Sequence, residues 1–324
     1  MNGRATTIFY IALLAVALLA PLLGLYPVFV MKLLCFAIFA SAFNLLLGYT
    51  GLLSFGHAAY FGSAAYATGY LVKNLHLTPE VAILAGMAFA AVSGLVVGAM
   101  AIRRQGIYFA MITLALAQML YFVCLQLKLT GGEDGLQGVP RGNLFGVVSL
   151  ASDTTMYYFV LALFVAVFLL IRRIVHSPFG QILRAIRENE PRAISLGYDV
   201  ARYKLLAFVL STSLAGLAGS LKTLVFGFAT LSDVHWSMSG EVILMTLLGG
   251  VGTFLGPVLG AGIVIALQDN LADKVGSWVS VIIGVIFVVC VMAFRRGLVG
   301  EAQAFFGRKK PAPQAQQVPL PPAP

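Results

Sequence analysis

Ser177-Pro178-Phe179-Gly180-Gln181-Ile182-Leu183-Arg184-Ala185-Ile186-Arg187-Glu188-Asn189-Glu190-Pro191-Arg192-Ala193-Ile194-Ser195-Leu196-Gly197-Tyr198 is a charged, helix-ready insert between two long apolar stretches. The residues around it are almost wholly membrane-soluble, so a segment this polar must lie outside the bilayer. Its pattern predicts a short amphipathic helix, a stop at Pro191 and a second short piece ending at Gly197. Together these make a compact knob on the membrane face, a form suited to docking a soluble partner.

Working outward, the 324 residues are 60% apolar and 10% charged, with a mean hydropathy of +0.94. Soluble domains carry about a quarter charged residues, so a chain this apolar needs lipid as its solvent. A helix of about 20 apolar residues spans the hydrocarbon core. Stretches of this kind recur at 8–26, 28–47, 54–72, 80–102, 106–127, 155–173, 205–227, 240–251, 255–268 and 277–294. The alternating strands of an outer-membrane barrel are absent. The fold class is therefore an all-α polytopic membrane protein, with about 8–10 transmembrane helices, some of them broken or re-entrant.

The formal net charge of +9 follows the positive-inside rule rather than a nucleic-acid surface, because the basic clusters sit beside apolar spans. Arg103-Arg104, the segment 172–204 and the run from Arg295-Arg296 to Lys310 are expected in the cytoplasm, and the loop 128–154, with Glu133, Asp134 and Asp153, outside. Both termini are then cytoplasmic, provided that 240–268 is split at Gly249-Gly250-Val251-Gly252-Thr253. Arg4 and the apolar run from Ile8 read as an uncleaved first helix, since Pro21 follows Ala20 and residue 18 is Leu. Cys35, Cys124 and Cys290 each lie in an apolar run and read as packing residues, not as a disulfide or metal framework. Residues 1–300 form the transmembrane domain, with 174–204 as its cytoplasmic loop. Residues 301–324, basic and then Pro-rich, form a disordered tail.

Two glycine-interrupted stretches stand out. One carries Gly51, Ser54, Gly56 and His57, the other Gly249, Gly250 and Gly252. A broken helix is tolerated only where protein or a water-filled cavity covers the freed backbone groups. One break in each half of a chain points to a transport pathway, and close helix packing is the plainer role for the same glycines. His57 reads as a structural or lining residue ahead of proton chemistry. Glu241 is expected in the first turn of its helix, favoured there by the dipole. Asp233 and His235 are expected in an outer loop, without a third ligand at metal-binding spacing.

There is no Gly-x-x-x-x-Gly-Lys-Ser/Thr phosphate loop, no Gly-x-Ser-x-Gly elbow and no His-Glu-x-x-His pair. ATP hydrolysis and other enzymatic chemistry have no visible machinery here, and no cofactor or metal is implied. An ion-coupled secondary transporter of small polar solutes is the alternative to a motor-driven one. Such carriers place ionisable groups near the midplane, and the apolar spans are nearly free of Asp and Glu.

Gly48–Gly62, G-Y-T-G-L-L-S-F-G-H-A-A-Y-F-G, resembles the signature of the LivM-type permease of branched-chain amino-acid ABC importers. Ser177–Gly219, and Leu247–Ala261 as L-L-G-G-V-G-T-F-L-G-P-V-L-G-A, resemble the same family in order along the chain. The resemblance implies a type II-like importer permease in the bacterial inner membrane. It implies as partners a second homologous permease, two cytoplasmic ATP-binding subunits and a periplasmic substrate-binding protein. Family members carry branched-chain amino acids, and related permeases take other amino acids, urea or short amides. The coupling segment it implies is Glu190, Pro191, Arg192, Ala193, Ile194, Ser195, Leu196 and Gly197. Ala193, Ile194 and Leu196 are expected to make the apolar contact with an ATPase, and Arg184, Arg187 and Arg192 to pair with its carboxylates.

Overall fold

The computed structural model of the chain describes residues 26–293 and 297–306, with positions 17, 18, 21 and 24 ahead of them. Helix α1 runs Pro27–Thr50, α2 His57–Asn74, α3 Pro79–Ala101, α4 Ile107–Gln126 and α5 Asp153–His176. The knob follows as α6 (Pro178–Glu188) and α7 (Glu190–Ser195). Then come α8 (Val200–Phe226), α9 (Trp236–Gly249), α10 (Gly256–Val275), α11 (Val279–Ala293) and α12 (Gly297–Phe306). The strands are two residues long. β1 (Leu136–Gln137) pairs antiparallel with β4 (Phe228–Ala229), Leu136 opposite Ala229, and β2 (Asn143–Leu144) pairs with β3 (Val148–Ser149).

Each predicted span from residue 28 onward overlaps one of these helices. The span 8–26, Arg295-Arg296 and the tail beyond residue 306 lie largely or wholly outside the described residues. Among the described residues, α1, α3, α4, α5 and α8 are long and apolar enough to cross a membrane by length and composition, so the chain is an all-α, multi-pass membrane protein. Proline stands in the first turn of α1, α3 and α6, where its missing N–H has no helical partner to lose. Gly51 ends α1 in the left-handed conformation (φ +74°), which glycine adopts without a Cβ clash.

Burial divides the helices into two groups. In the most apolar window of each, 78% of α1 and 72% of α8 is inside, against 39% of α3, 28% of α4 and 33% of α5. The first two therefore form the protein core, and the other three turn residues such as Leu84, Val92, Met119 and Leu169 outward, where lipid is their solvent. Helix α8 packs along α1, α2 and α3. The approach is closest at Gly219, where an added Cβ would stand 2.7 Å from the Phe61 carbonyl carbon. Lipid is as apolar as leucine, so membrane helices associate through such close packing and through hydrogen bonds. The Thr68 hydroxyl supplies the latter, reaching the Ala82 carbonyl at 3.1 Å and the Ser220 hydroxyl at 2.7 Å.

The helix ends sort to two sides. On the knob side, the α1–α2 linker and the start of α4 line one cleft, and Gly48 and Gly252 meet α6 in another. On the opposite side, Phe145 N–H donates to Glu80 (3.1 Å) and Arg141 pairs with Asp153 (2.6 Å). Lys32 and Asp269 also pair there, at 2.5 Å. Arg103-Arg104 and the basic knob thus share one side, and Glu133, Asp134 and Asp153 the other. The split of 240–268 holds too: α9 ends at Gly249, α10 begins at Gly256 and Gly297 returns beside Gly250.

One expectation needs correction. Glu241 is not in a first turn: α9 begins at Trp236 with His235 as its N-cap, so Glu241 lies in the second turn. The polar residues Ser237 and Ser239 hide this earlier start in the sequence. Asp233 lies in the α8–α9 connection, as expected, but that connection is packed. The segment after β4 folds back against α2 and α8, burying Asp233 to 3% exposure. Its carboxylate pairs with Lys222 at 2.7 Å and accepts from Thr230 N–H at 3.0 Å, while the ammonium lies 4.5 Å from the Phe228 ring centroid.

Breaking one side of a buried pair strands the other charge, at a cost of about 3–5 kcal/mol. Asp233→Ala should therefore lower the unfolding midpoint in detergent markedly. Lys222→Met combined with Asp233→Ala should recover most of that loss. Equal stability of the single and double variants would show that the pair does not hold this loop.

Candidate functional site

The knob is built from local capping. The Ser177 hydroxyl accepts from Gly180 N–H (3.4 Å) to start α6. The Asn189 side chain accepts from Arg192 N–H (3.0 Å) to start α7, with Pro191 in its first turn. Gly197, at φ +85°, turns the chain, and Gly197 N–H and Tyr198 N–H donate back to Ile194 and Ala193 carbonyls at 2.9 and 3.2 Å. Asp199 then caps α8 through Arg202 N–H (3.2 Å). Ile186, Ala193 and Val200 close over one another as a small core of their own. Lys204 pairs with Glu190 across the joint at 2.7 Å. The knob is therefore a rigid body continuous with the base of α8.

This packing divides the predicted coupling residues. Ala193 is 2% exposed, so it is part of the knob's interior and not of an outward apolar contact. It is the residue by which the short α7 packs on Ile186 of α6. Glu190 likewise faces inward, to Lys204. Ser195 donates to the Arg192 carbonyl at 2.8 Å. Pro191, Arg192, Ile194, Leu196 and Gly197 remain outward, with Ile194 58% and Leu196 69% exposed. Of the three arginines expected to meet a partner, two turn toward this chain. Arg187 Nη1 donates to the Gly48 carbonyl, and the Arg184 guanidinium sits 5.2 Å from the Tyr49 ring centroid.

The two glycine-interrupted stretches meet only in part. Gly48, at the end of α1, lies against Gly252: a Cβ on Gly48 would stand 2.7 Å from Gly252 N. Asn44 fastens the contact from one turn earlier, accepting from Gly252 N–H and donating to the Thr253 carbonyl, each at 2.9 Å. Gly51 and Gly250 border the same region, beside Arg187 and Gly297 respectively. Gly249 packs on Gly256 within the α9–α10 hairpin. Ser54 is buried and accepts from Gly56 N–H at 3.3 Å. Gly56 itself faces Thr113 of α4.

His57 stands apart from that meeting point. It is fully buried among Phe39, Phe43, Tyr60 and Phe208. The Ser211 hydroxyl donates to the Ala42 carbonyl at 2.5 Å, which leaves its oxygen to accept from His57 Nε2–H at 2.9 Å. The tautomer is assigned from that network. The imidazole links α2, α8 and α1 as an aromatic with one polar tip.

The sequence does not single out Asn44 or Lys222, nor the pairing of Lys222 with Asp233. The signal lay in polar residues inside or just after apolar spans, which in a membrane protein are paired or functional. Among the described residues no cluster of His, Cys, Asp and Glu is arranged to hold a metal.

Comparison with known proteins supplies the frame. The chain is 28% identical to the high-affinity branched-chain amino acid transport system permease protein LivM of Salmonella typhimurium, over 82% of this chain and 68% of that protein. It is 26% identical to the LivM of Escherichia coli over the same shares. It is 34% identical to the autoinducer 2 import system permease protein LsrC of Klebsiella pneumoniae, over 41% of this chain and 39% of that protein. No solved structure matches it significantly. Residues 27–291, from the first turn of α1 to within three residues of the end of α11, match a single family model, and the chain belongs to the family of permease components of the branched-chain amino acid transport system.

Proposed function

We propose that this chain is a permease subunit of an ABC importer for branched-chain or related amino acids, forming half of a translocation pathway with a second, homologous permease. Two cytoplasmic ATP-binding subunits drive it and a periplasmic binding protein delivers the cargo. The membrane is the bacterial inner membrane, with both termini and the knob in the cytoplasm, as the basic residues on the knob side favour. Residues 1–300 are the permease domain, with its coupling loop at 174–204; the boundary drawn at 301 falls inside α12, which continues to Phe306.

The observation that carries this reading is the knob's outer edge. Ile194 and Leu196 stand 58% and 69% exposed on a rigid, internally closed body outside the lipid. A soluble partner that covers them gains their burial and acts on α8 through a body too stiff to absorb the push. Glu190, Pro191, Arg192, Ala193, Ser195 and Gly197 serve by building and orienting that edge. Of the helix-break residues, Gly51, Gly250 and Gly252 are the pathway side of the same device, and Ser54, Gly56, His57 and Gly249 pack the breaks in place. The buried Lys222–Asp233 pair favours one other reading, an ion-coupled carrier. Loss of uptake on dissipating the ion gradient, with ATP present, would support it.

Two results check the proposal. In a background lacking Cys35, Cys124 and Cys290, Asp134→Cys should react with an impermeant thiol reagent in intact cells and Ser195→Cys only after permeabilisation. The reverse pattern would invert the topology. In the purified complex, Ile194→Ser combined with Leu196→Ser should insert normally and yet release the ATPases, because about 1.5–3 kcal/mol per buried side chain is lost from the contact. Ala193→Glu should act differently, loosening the knob itself by burying an unpaired charge, seen as faster proteolysis within 177–198. Full ATPase retention by the double variant would remove α7 from the docking surface.

A further inference from the structure

We infer that Arg187 is a positioning residue for transport: it latches the knob to the two helix breaks and holds the knob-side mouth of the pathway closed. The inference rests on the ATPase-docking reading of α7 and adds what happens between that contact and the membrane helices.

The last carbonyls of a helix have no partner within it and carry the negative end of its dipole. Gly48 is in the last turn of α1, and Arg187 Nη1 donates to its carbonyl. Gly252 completes the socket. Its own φ is +76°, and a Cβ there would stand 3.1 Å from both Arg187 Nη1 and the Gly48 carbonyl oxygen. Gly51 borders the stem, with an added Cβ 3.3 Å from Arg187 Cγ. An added Cβ at Gly252 or Gly51 would crowd the Arg187 side chain, which lies along the backbone here. Asn44 already joins the end of α1 to the α9–α10 turn. Arg187 joins this pair to the knob by a hydrogen bond, beside the Arg184 guanidinium that lies on the Tyr49 ring.

The lever is short. Ile186, the residue before Arg187, packs against Ala193 of α7, which lies beside the exposed Ile194. A displacement of α7 therefore moves the stem of Arg187 directly. Beyond the socket an open cleft of about 360 Å³, lined by Gly48, Tyr49, Arg184, Arg187, Glu188 and Gly252, gives the guanidinium space to withdraw into. A charge-assisted hydrogen bond can favour a closed mouth over an open one by about tenfold or more, a bias that docking on α7 is large enough to reverse.

The test uses the full complex in liposomes, with Cys35, Cys124 and Cys290 replaced by Ser and Leu52→Cys as reporter in the α1–α2 linker, at the knob-side cleft. An impermeant maleimide is applied from the knob side without nucleotide. Arg187→Ala should raise the labelling rate of the reporter about tenfold and lower cargo moved per ATP hydrolysed, with the ATPases still bound. Arg187→Gln should do the same, and Arg187→Lys should restore part of both. Labelling and coupling equal to wild type in Arg187→Ala would overturn the latch. If that variant does not assemble, wild-type labelling in Arg187→Gln overturns it. Failure of the ATPases to bind even the wild-type permeases would instead refute the docking reading, and labelling of the permease in native membranes would still decide the latch.

Discussion

Lipid offers the backbone no hydrogen bonds, and the rest of this structure depends on that constraint. A continuous helix meets it internally. Wherever this chain interrupts a helix, some other group must stand in, and the substitutes are identifiable. The α9–α10 turn takes the Asn44 amide on both its N–H and its C=O sides. The start of α2 takes the Ser239 hydroxyl, which accepts from Ala58 N–H at 2.9 Å. The end of α1 takes Arg187. The breaks are thus the places where distant parts of the chain are obliged to meet.

The same requirement explains the central position of α1 and α8. A helix that supplies polar groups to breaks elsewhere must be surrounded by protein. Ser41, Asn44 and Thr50 on α1, and Ser211, Thr212, Ser220, Lys222 and Thr223 on α8, are all buried. Helices α3, α4 and α5 show far fewer buried polar residues and take the lipid-facing positions. The outer helices are held to the core by close approach at small residues, as at Gly94 of α3 against Thr212 of α8.

Much of this was legible in the sequence, because lipid compels long apolar runs and exposes every charged interruption. The helices, the break near Gly249–Gly252 and the knob's two pieces follow from those patterns. What stayed hidden was direction. Nothing in the order of residues shows that Ala193 points into the knob while Ile194 points out, or that Arg187 turns back to Gly48 139 residues away. Glu190 and Arg192 look equivalent as charges near one proline, and only the third dimension sets Glu190 against Lys204. Lys222 and Asp233 could have been matched as opposite charges across a helix end, but the fold-back that buries them has no local signature.

The Asn44 clamp has a consequence for how the chain is made. Asn44 leaves the ribosome early, and its partner Thr253 lies 209 residues later. At about 5–20 residues per second the interval is roughly 10–40 seconds. Through that time α1 sits in the bilayer with its buried Asn44 amide still without its final neighbours. The innermost helix is among the first to be synthesised and among the last to be satisfied. Co-translational quality control in the membrane would therefore meet its longest-lived target at α1, not at the knob or the peripheral helices.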